Sequence, residues 1–317
     1  MDILKLKPVL KDYIWGGERL RTDFGFQSEL DKIAEGWMLS CHKDGKSTVD
    51  GGEFDGQELG NIIEKFGKEK VVGTRSLDFP YFPVLIKLID AKDNLSIQVH
   101  PDNDYAQRVE GGFGKTEIWY VLDATPDASL IYGFKNEITS EEFKKAIEDN
   151  TLLDVLNSVK VKKGDLFFIE AGTVHAIGKG TLIAEIQQNS NSTYRVCDYG
   201  RLGADGKPRE LHVKKAVDVS VTKPPKYGCK PMGEPQDMGG YISTLLTKCD
   251  LFTVWHYDIS DSAEFEADEK SFNHVLVING SGSINGTNMK KGDSFFVPAG
   301  YGKYRIEGEC EVLITKI

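Results

Sequence analysis

The chain has few cysteines and no long apolar run. Its 317 residues include five cysteines, an odd number, at long spacings and without a C-x-x-C pair. This usage argues against a disulfide scaffold and favours a reducing compartment. The most apolar stretch, from Phe82 to Ile89, is interrupted by Pro83 and Lys87 and is too short to cross a bilayer. Because the first residues also lack a signal-peptide core, we expect a cytoplasmic protein without membrane partners.

Positive charge is also scarce in this sequence. Lys and Arg total 39 against 49 Asp and Glu, which gives a formal net charge of −10. An acidic surface repels nucleic-acid backbones and anionic lipid, so we expect no nucleic-acid partner. A phosphorylated ligand would need a local basic pocket. Composition leaves the oligomeric state open between a monomer and a homodimer.

The composition changes most sharply between Thr222 and Gly240, where the chain has four prolines. This irregular segment predicts a boundary between a large N-terminal unit, residues 1–225, and a C-terminal unit, residues 240–317. Short β-branched and aromatic runs predict strands in both units, with little strand–helix alternation. Helical patterns are confined to residues 59–66 and to a small insertion at about 136–158. We therefore expect a mainly β protein with two antiparallel β-barrels or jelly rolls.

One segment of the chain is repeated later in the sequence. Residues 163–175 read KGDLFFIEAGTVH and align without a gap with residues 291–303, KGDSFFVPAGYGK. The shared K-G-D, F-F and A-G elements predict two copies of one β-unit. The copies differ at an informative place, because His175 in the first is replaced by Lys303 in the second.

Candidate metal ligands are concentrated in the N-terminal unit. In the predicted strand Ser96-Ile-Gln-Val-His, alternation places Ser96, Gln98 and His100 on one face. Glu117 is the first residue of the next predicted strand, and His175 is the last residue of the first repeat. Two imidazoles, a carboxylate and an amide oxygen suit a divalent transition metal, zinc being the expected biological choice. Taken singly, His100 could be a strand-end histidine and Glu117 a surface charge.

A second polar segment runs from Glu185 to Arg201 and reads EIQQNSNSTYRVCDYGR. Its hydrogen-bonding groups suit a polyhydroxylated, anionic ligand, and Arg195 offers a fork of donors for phosphate or developing negative charge. The alternative is a long solvated loop. We expect five basic residues to form a positively charged entrance near the metal, namely Lys115, Arg195, Arg201, Lys207 and Arg209.

These motifs resemble known families. The pattern Gly164-x5-Glu170-x-Gly172-x2-His175 is similar to the second metal motif of cupins, and the copy ending at Lys303 resembles that motif without its histidine. More closely, the chain resembles type I mannose-6-phosphate isomerases of the short bacterial kind. The elements that carry this resemblance are Trp15-Gly-Gly, Ala34-Glu-Gly-Trp-Met-Leu-Ser, Leu95-Ser-Ile-Gln-Val-His-Pro, Lys115-Thr-Glu, Ala171-Gly-Thr-Val-His and Glu185-Ile-Gln-Gln followed by Tyr194-Arg.

The resemblance implies two cupin-like domains, of which the C-terminal one is degenerate and has no metal ligands. It also implies one zinc ion per chain and interconversion of mannose 6-phosphate and fructose 6-phosphate. Arg195 is implied as an active-site residue. The Q-x-H pair stands where generic cupins have H-x-H, which fits the isomerase and argues against oxygenases. The implied zinc ligands are Gln98, His100, Glu117 and His175.

Such an isomerisation moves a proton between C2 and C1 of the sugar through an enediol. It needs a general base, charge stabilisation and exclusion of water. Arg195 is a poor base because a guanidinium stays protonated, so the base is open among a zinc-bound water or hydroxide, Lys115 and Glu185. We expect Arg195 and Lys115 to be catalytic, and Ser96, Glu185 and Arg201 to contact the substrate.

Two other function classes compete with the isomerase. One is a non-catalytic cupin that binds a sugar phosphate without turnover. The other is a different metal-cupin enzyme, such as an iron oxygenase. The Q-x-H pair counts against the oxygenase, and the intact ligand set together with Arg195 counts against the binding protein.

Overall fold

The computed structural model describes residues 1–203 and 206–317, and most of its regular structure is β. The helices are short and lie between strands or beside the sheets. A 3-10 turn covers Thr74–Asp78. The α-helices are α1 (Arg19–Thr22), α2 (Leu59–Phe66), α3 (Lys68–Val72), α4 (Asn103–Glu110), α5 (Ser140–Glu148), α6 (Leu152–Val155) and α7 (Val213–Val219).

The strands before the proline-rich segment are numbered in chain order. They are β1 (Leu4–Lys7), β2 (Val9–Lys11), β3 (Glu35–Leu39), β4 (Cys41–His42), β5 (Gly45–Lys46), β6 (Thr48–Val49), β7 (Val84–Ala91), β8 (Ile97–Val99), β9 (Glu117–Ala124), β10 (Ser129–Phe134), β11 (Leu156–Lys160), β12 (Leu166–Ile169), β13 (His175–Ala176), β14 (Thr181–Gln188) and β15 (Tyr194–Cys197). The later strands are β16 (Gln236–Asp237), β17 (Tyr241–Lys248), β18 (Thr253–Ile259), β19 (Ser262–Ala267), β20 (Asn273–Ile284), β21 (Thr287–Lys290), β22 (Ser294–Val297) and β23 (Gly302–Lys316).

The strands form antiparallel sheets that pack in layers. A six-stranded sheet has the order β12-β9-β14-β7-β3-β2, and a five-stranded sheet has the order β11-β10-β13-β8-β15. The eight later strands together with β1 and β6 build a ten-stranded sheet, and β4 pairs with β5 in a hairpin. An apolar cluster containing Trp119, Ile183, Leu130 and Tyr132 fills the space between the six- and five-stranded sheets.

The six-stranded sheet is the middle layer of the molecule. Its other face contributes Ile86, Leu88 and Ile186 to an apolar cluster shared with the ten-stranded sheet. A sheet buried on both faces requires nearly continuous apolar strands, which explains why every residue of β7 and β14 is buried. Charged exceptions such as Lys87 and Glu185 therefore stand out on these strands.

The prediction of a mainly β protein is confirmed, whereas two closed barrels are not. Within residues 1–203 and 206–317, no sheet pairs its first strand with its last. Strand β1 pairs with β22, and β6 pairs with β1, so strands from the start of the chain extend the ten-stranded sheet. Because β1 covers the edge of β22, that sheet continues into the N-terminal part instead of closing on itself. The division into units 1–225 and 240–317 stays a prediction.

The two copies of the repeated segment have the same local structure. Gly164 and Gly292 have φ of +91° and +92°, a backbone conformation that favours glycine. The carboxylates of Asp165 and Asp293 each accept a hydrogen bond from the backbone N–H three residues earlier, at 3.0 and 2.9 Å. At the position of His175, Lys303 forms a surface ion pair instead. The second copy thus repeats the turn and strand but carries no histidine there.

Helices α5 and α6 lie within the predicted insertion at 136–158 and cover the outer face of the five-stranded sheet. Phe143 and Leu152 from these helices pack with Ile97 and Val99 of β8. Helix α7 adds Ala216 to the same cluster. In the described part of the chain, no helix is both long enough and apolar enough to cross a membrane.

Candidate active site and metal centre

Strand register brings the predicted site residues into one row. His175 on β13 lies directly opposite Gln98 on β8, and Gln98 lies opposite Arg195 on β15. Cross-strand partners share a face, so this row looks into the space between the five- and six-stranded sheets. Glu117, the first residue of β9, reaches the same space from the six-stranded sheet.

His100, Glu117 and His175 form a compact buried cluster. One ligand atom from each lies within 4.8 Å of the others. The imidazole Nε2 atoms of His100 and His175 are 3.7 and 3.6 Å from the two carboxylate oxygens of Glu117. The side-chain Nε2 of Gln98 lies 3.4 Å from His175 Nε2. Three of the predicted metal ligands, His100, Glu117 and His175, therefore meet at one point, and Gln98 lies beside them.

The hydrogen bonds of the two imidazoles fix which nitrogen faces the cluster. His100 Nδ1 is 2.7 Å from the carbonyl oxygen of Ser192, and His175 Nδ1 is 2.8 Å from that of Thr173. A carbonyl oxygen only accepts, so each Nδ1 carries the proton and each Nε2 presents a lone pair. Burial lowers the pKa of His100 well below its usual value and that of His175 to about 4. Both rings are therefore neutral at physiological pH, as metal ligands are.

The unsatisfied atoms of this cluster fit a bound cation. His100 Nε2 and Glu117 Oε1 are buried without a hydrogen-bond partner, whereas Glu117 Oε2 is paired with the ammonium of Lys115 at 2.8 Å. Buried acceptors of this kind are costly unless something satisfies them. A divalent metal ion would satisfy both unpartnered atoms, and the Gln98 side chain would add a neutral ligand if its amide turned its oxygen to the ion. Among the residues that the structure describes, His100, Glu117 and His175 are the group of His, Cys, Asp and Glu side chains that meets this geometry.

A line of alternating buried charges extends from the cluster. Lys115 Nζ is 2.8 Å from Glu117 Oε2 and 3.9 Å from Glu185 Oε1. Lys87 Nζ is 3.1 Å from the same Glu185 oxygen and 3.6 Å from Glu35 Oε2. Every member is less than a tenth exposed. Opposite charges thus compensate one another along the sequence of groups Glu35, Lys87, Glu185, Lys115 and Glu117.

The charge line sets the protonation of its members. Burial and repulsion from Glu185 raise the pKa of Glu117, a shift that a bound cation would reverse. Burial alone would raise the pKa of Glu185 too, but the ammonium groups of Lys115 and Lys87 outweigh it and lower that pKa. Although burial disfavours its charge, the carboxylates of Glu185 and Glu35 raise the pKa of Lys87. Glu185 and Lys87 are therefore ionised at neutral pH.

A cavity of about 320 Å³ opens beside the cluster. Its volume lies within the range of small-molecule sites. A larger cavity of about 820 Å³ lies beside α2 and α3, and none of the predicted site residues lines it. The predicted residues that line the smaller cavity are Ser96, Gln98, Lys115, Glu185 and Arg195, and it is also lined by Tyr13, Trp15, Glu35, Lys87, Asn191, Thr193 and Arg209.

Arginines line one side of this cavity, although not all of those predicted. Arg209 Nε and Arg201 Nη2 bind the two oxygens of Asp198 at 2.7 and 2.6 Å. Arg209 lines the cavity, whereas Arg201 and Lys207 do not. Burial and the nearby Arg209 lower the pKa of Arg195, whose buried Nε has no hydrogen-bond partner. This end of the cavity is therefore rich in donors for an anion.

Sequence reasoning missed Lys87 and Glu35 as parts of the site. Lys87 is the lone basic residue of the strand VLIKLIDA, and a buried ammonium in such a strand needs a carboxylate partner. That signal was available in the sequence. The partners were not, because they lie on other strands of the sheet.

Two family profiles match the chain. The profile of the phosphomannose isomerase type I catalytic domain matches residues 3–125, and the profile of the mannose-6-phosphate isomerase cupin domain matches residues 241–317. The chain is 40% identical to the mannose-6-phosphate isomerase ManA of Bacillus subtilis over 99% of its length and 98% of that protein. It belongs to the type I mannose-6-phosphate isomerase family. The resemblance seen in the sequence motifs is confirmed.

Other members of the family match the chain over nearly all of its length. The mannose-6-phosphate isomerase of Streptococcus mutans is 36% identical, with 98% of this chain and 97% of that protein covered. The crystal structure of a mannose 6-phosphate isomerase from Bacillus subtilis has a TM-score of 0.91 at 35% identity and covers both chains completely. A phosphomannose isomerase from Salmonella typhimurium shares the fold, with a TM-score of 0.79 at 17% identity and 99% of both chains covered.

Proposed function

We propose that the chain interconverts mannose 6-phosphate and fructose 6-phosphate by moving a proton between C2 and C1 through an enediol. The observation that carries this proposal is the buried group of His100, Glu117 and His175, whose ligand atoms lie within 4.8 Å of one another beside a cavity. Membership of the isomerase family gives the substrate. The ionised side chains around the cavity would accept the proton and stabilise the charge that develops.

One zinc ion per chain is the proposed cofactor. Gln98, His100, Glu117 and His175 would hold it, since two neutral imidazoles, a carboxylate and an amide oxygen are ligands that zinc accepts. When bound, such an ion supplies Lewis-acid stabilisation of negative charge on the sugar oxygens. One carboxylate among four ligands leaves net positive charge at the centre, which suits an anionic intermediate.

The substrate phosphate is proposed to lie at the arginine end of the cavity. Arg195 and Arg209 line this end, and a guanidinium matches the geometry of a phosphate. Asp198 binds Arg209 through both of its oxygens and so fixes the guanidinium before substrate arrives. Arg201 binds the same carboxylate, and we propose that it acts on this end through Asp198.

The proposed proton carriers are Lys115 and Glu185 on the cavity wall. The ammonium groups of Lys87 and Lys115 lie 3.1 and 3.9 Å from Glu185 Oε1 and keep this group a carboxylate, which can accept the proton that leaves a sugar carbon. Trp119 Nε1 donates to the other oxygen, Oε2, at 3.0 Å and holds the carboxylate in place. The ammonium of Lys115 can donate a hydrogen bond to a sugar oxygen as negative charge develops there. Both groups face the cavity at its metal-ligand end.

The remaining residues of the cavity wall are proposed to bind the sugar hydroxyls and to exclude water. Ser96 lies on the strand face shared with Gln98, and we propose that its hydroxyl binds the sugar. Tyr13 and Trp15 stack with ring centroids 5.4 Å apart on the cavity wall. Aromatic rings at this wall would exclude water from the reacting carbons, which protects the enediol.

We propose that the chain works in the cytoplasm on a small sugar phosphate, without nucleic-acid or membrane partners. The net charge of −10 supports this view because it disfavours polyanions. We also propose that residues 1–225 form the catalytic domain and that residues 240–317 form a degenerate cupin domain without metal ligands. The surface position of Lys303 supports the second part.

The test is a coupled assay that follows fructose 6-phosphate formed from mannose 6-phosphate. The protein is assayed as purified, after treatment with a chelator, and after zinc is restored. We expect turnover that the chelator removes and zinc restores. Sugar-phosphate binding without turnover in the zinc-loaded protein would contradict the proposal and identify a non-catalytic binding protein. Oxygen-dependent turnover of the iron-loaded protein would identify a different enzyme class.

A further inference from the structure

The loop between β14 and β15 carries the carbonyl group that orients one of the proposed metal ligands. Ser192 lies in this loop, and its carbonyl oxygen is 2.7 Å from His100 Nδ1. The direction of that carbonyl therefore decides which tautomer His100 adopts and where its Nε2 lone pair points. Whatever fixes the loop also fixes the ligand.

A buried glutamine at the end of β14 holds this loop. Gln187 is completely buried, and its Nε2 donates to the carbonyl oxygens of Gln188 at 2.8 Å and of Ser190 at 2.6 Å. The amide orientation follows from its partners, since the reverse orientation would set three acceptor oxygens against one another. Both donor hydrogens of the amide are thus used to bend the chain back after the strand.

The path from Gln187 to His100 is short and continuous. The carbonyl oxygen of Ser190 accepts the hydrogen bond from Gln187. The Ser190 Oγ accepts another, from the backbone N–H of Ser192 at 3.3 Å. The same Oγ donates to the carbonyl oxygen of Phe113 at 2.8 Å. Two residues of tightly bonded chain therefore connect the glutamine amide with the carbonyl that faces the imidazole.

We propose that Gln187 is a positioning residue for the metal centre, which fixes the orientation of His100 by holding the loop that contains Ser192. The inference rests on the metal-binding part of the proposed function. It concerns a side chain that is not itself among the proposed ligands. Gln187 sits opposite Glu117 in the strand register, so it supports the centre from the six-stranded sheet.

A buried amide in the ten-stranded sheet provides a matched control. Asn273 on β20 is buried, and its Nδ2 donates two hydrogen bonds, as Gln187 Nε2 does. These bonds reach the carbonyl oxygen of Glu266 at 3.0 Å and the hydroxyl of Tyr304 at 2.9 Å. None of these three residues lines the cavity. Loss of this amide therefore costs comparable hydrogen bonding without disturbing His100.

The first experiment measures the zinc dissociation constant of the metal-free protein by competition with a chromogenic chelator, without any sugar. Gln187→Met is expected to weaken zinc binding about 10- to 100-fold, as losses of outer-sphere support do. Asn273→Leu is expected to change it by less than about threefold. Wild-type zinc affinity in Gln187→Met, or equal weakening in both variants, would overturn the proposal. Because no turnover is measured, failure of the isomerase proposal would be seen separately.

The second experiment uses the metal-free protein with ¹⁵N-labelled histidine. The hydrogen bond to Ser192 should give His100 a protected Nδ1–H resonance, which is assigned by its loss in His100→Gln. We expect the resonance to persist in Asn273→Leu and to disappear or exchange rapidly in Gln187→Met. If Gln187→Met does not fold, Gln187→Glu is measured in the same way. Absence of the resonance in the wild-type protein, or its persistence in the folded Gln187 variant, would overturn the proposal.

Discussion

At the scale of single residues, the least usual feature is the buried ammonium of Lys87. It lies between two carboxylates at 3.1 and 3.6 Å in the middle of an otherwise apolar strand. Its removal would leave the negative charges of Glu185 and Glu35 without the cation between them. An uncompensated buried charge is far more costly than the loss of a surface ion pair.

We expect Lys87→Met to lower the free energy of unfolding by about 3–5 kcal/mol and to reduce isomerase turnover. Lys46→Met is the control, because Lys46 forms a 2.8 Å ion pair with Glu58 at the surface. The control should leave stability unchanged within error. Denaturant titration of the metal-free proteins measures both effects, and equal stability of the two variants would contradict the account of the charge line.

The two arginines bound to Asp198 allow a second test at the residue scale. Arg209 lines the cavity, whereas Arg201 holds Asp198 and the carbonyl oxygen of Asn94. A charged hydrogen bond contributes about 1.5–3 kcal/mol, so Arg209→Gln should raise the KM for mannose 6-phosphate roughly 10- to 100-fold. Arg201→Gln should raise it less, since it acts through Asp198. Equal KM values for the two variants would argue against the proposed phosphate position.

At the scale of secondary-structure elements, helix α4 begins directly after the segment that carries His100. Its N-cap is Asp102, whose Oδ1 accepts a hydrogen bond from the backbone N–H of Tyr105 at 2.8 Å. The helix ends at Gly111, which has φ of +65° and so adopts the left-handed conformation. The N-cap Asp102 and the left-handed Gly111 therefore set the two ends of the helix.

Removal of the cap should destabilise the protein modestly. We expect Asp102→Ala to lower the free energy of unfolding by about 1 kcal/mol, the usual cost of a lost N-cap. Asp104→Ala, in the first turn of the same helix but without a capping bond, should have a smaller effect. Chemical denaturation followed by circular dichroism distinguishes the two. A larger loss in the Asp104 variant would show that Asp102 does not cap the helix.

Strands with a clear pattern were predictable from the sequence, and their neighbours were not. The apolar runs of β7 and β14 and the alternation of Ser96, Gln98 and His100 follow from local side-chain periodicity. The pairing of β1 with β22 joins residues nearly 300 positions apart, as Leu4 faces Phe296. Local patterns carry no information on such partners. The candidate metal ligands could be named from the motifs that carry the resemblance, whereas the charge line through Lys87 could be recognised only from the sheet order.

At the scale of the whole molecule, a buried histidine connects the later strands with the middle sheet. His274 is fully buried in the cluster between the two sheets, and its Nε2 is 2.8 Å from Ser294 Oγ. That hydroxyl donates to the carbonyl oxygen of Met38 on β3 at 2.9 Å. The histidine thus helps to join the ten-stranded sheet to the six-stranded one.

Burial lowers the pKa of His274 to about 3. An unfolded histidine has a pKa of about 6.5, so this group contributes stability above that pH and loses it as the pH falls towards 3. His100 and His175 act in the same direction. His274→Gln should therefore flatten the pH dependence of the unfolding free energy between about pH 6 and 4, by up to about 1.4 kcal/mol per pH unit. Parallel curves for variant and wild type would contradict this assignment.

The central claim is that isomerisation depends on a metal held by His100, Glu117 and His175. The most direct measurement is the rate of fructose 6-phosphate formation by chelator-treated protein as zinc is added back in known amounts. We predict that the rate rises from near zero and saturates at one zinc ion per chain, and that His175→Ala shows no such rise. Full activity of the metal-free protein, or wild-type zinc activation of His175→Ala, would contradict the account.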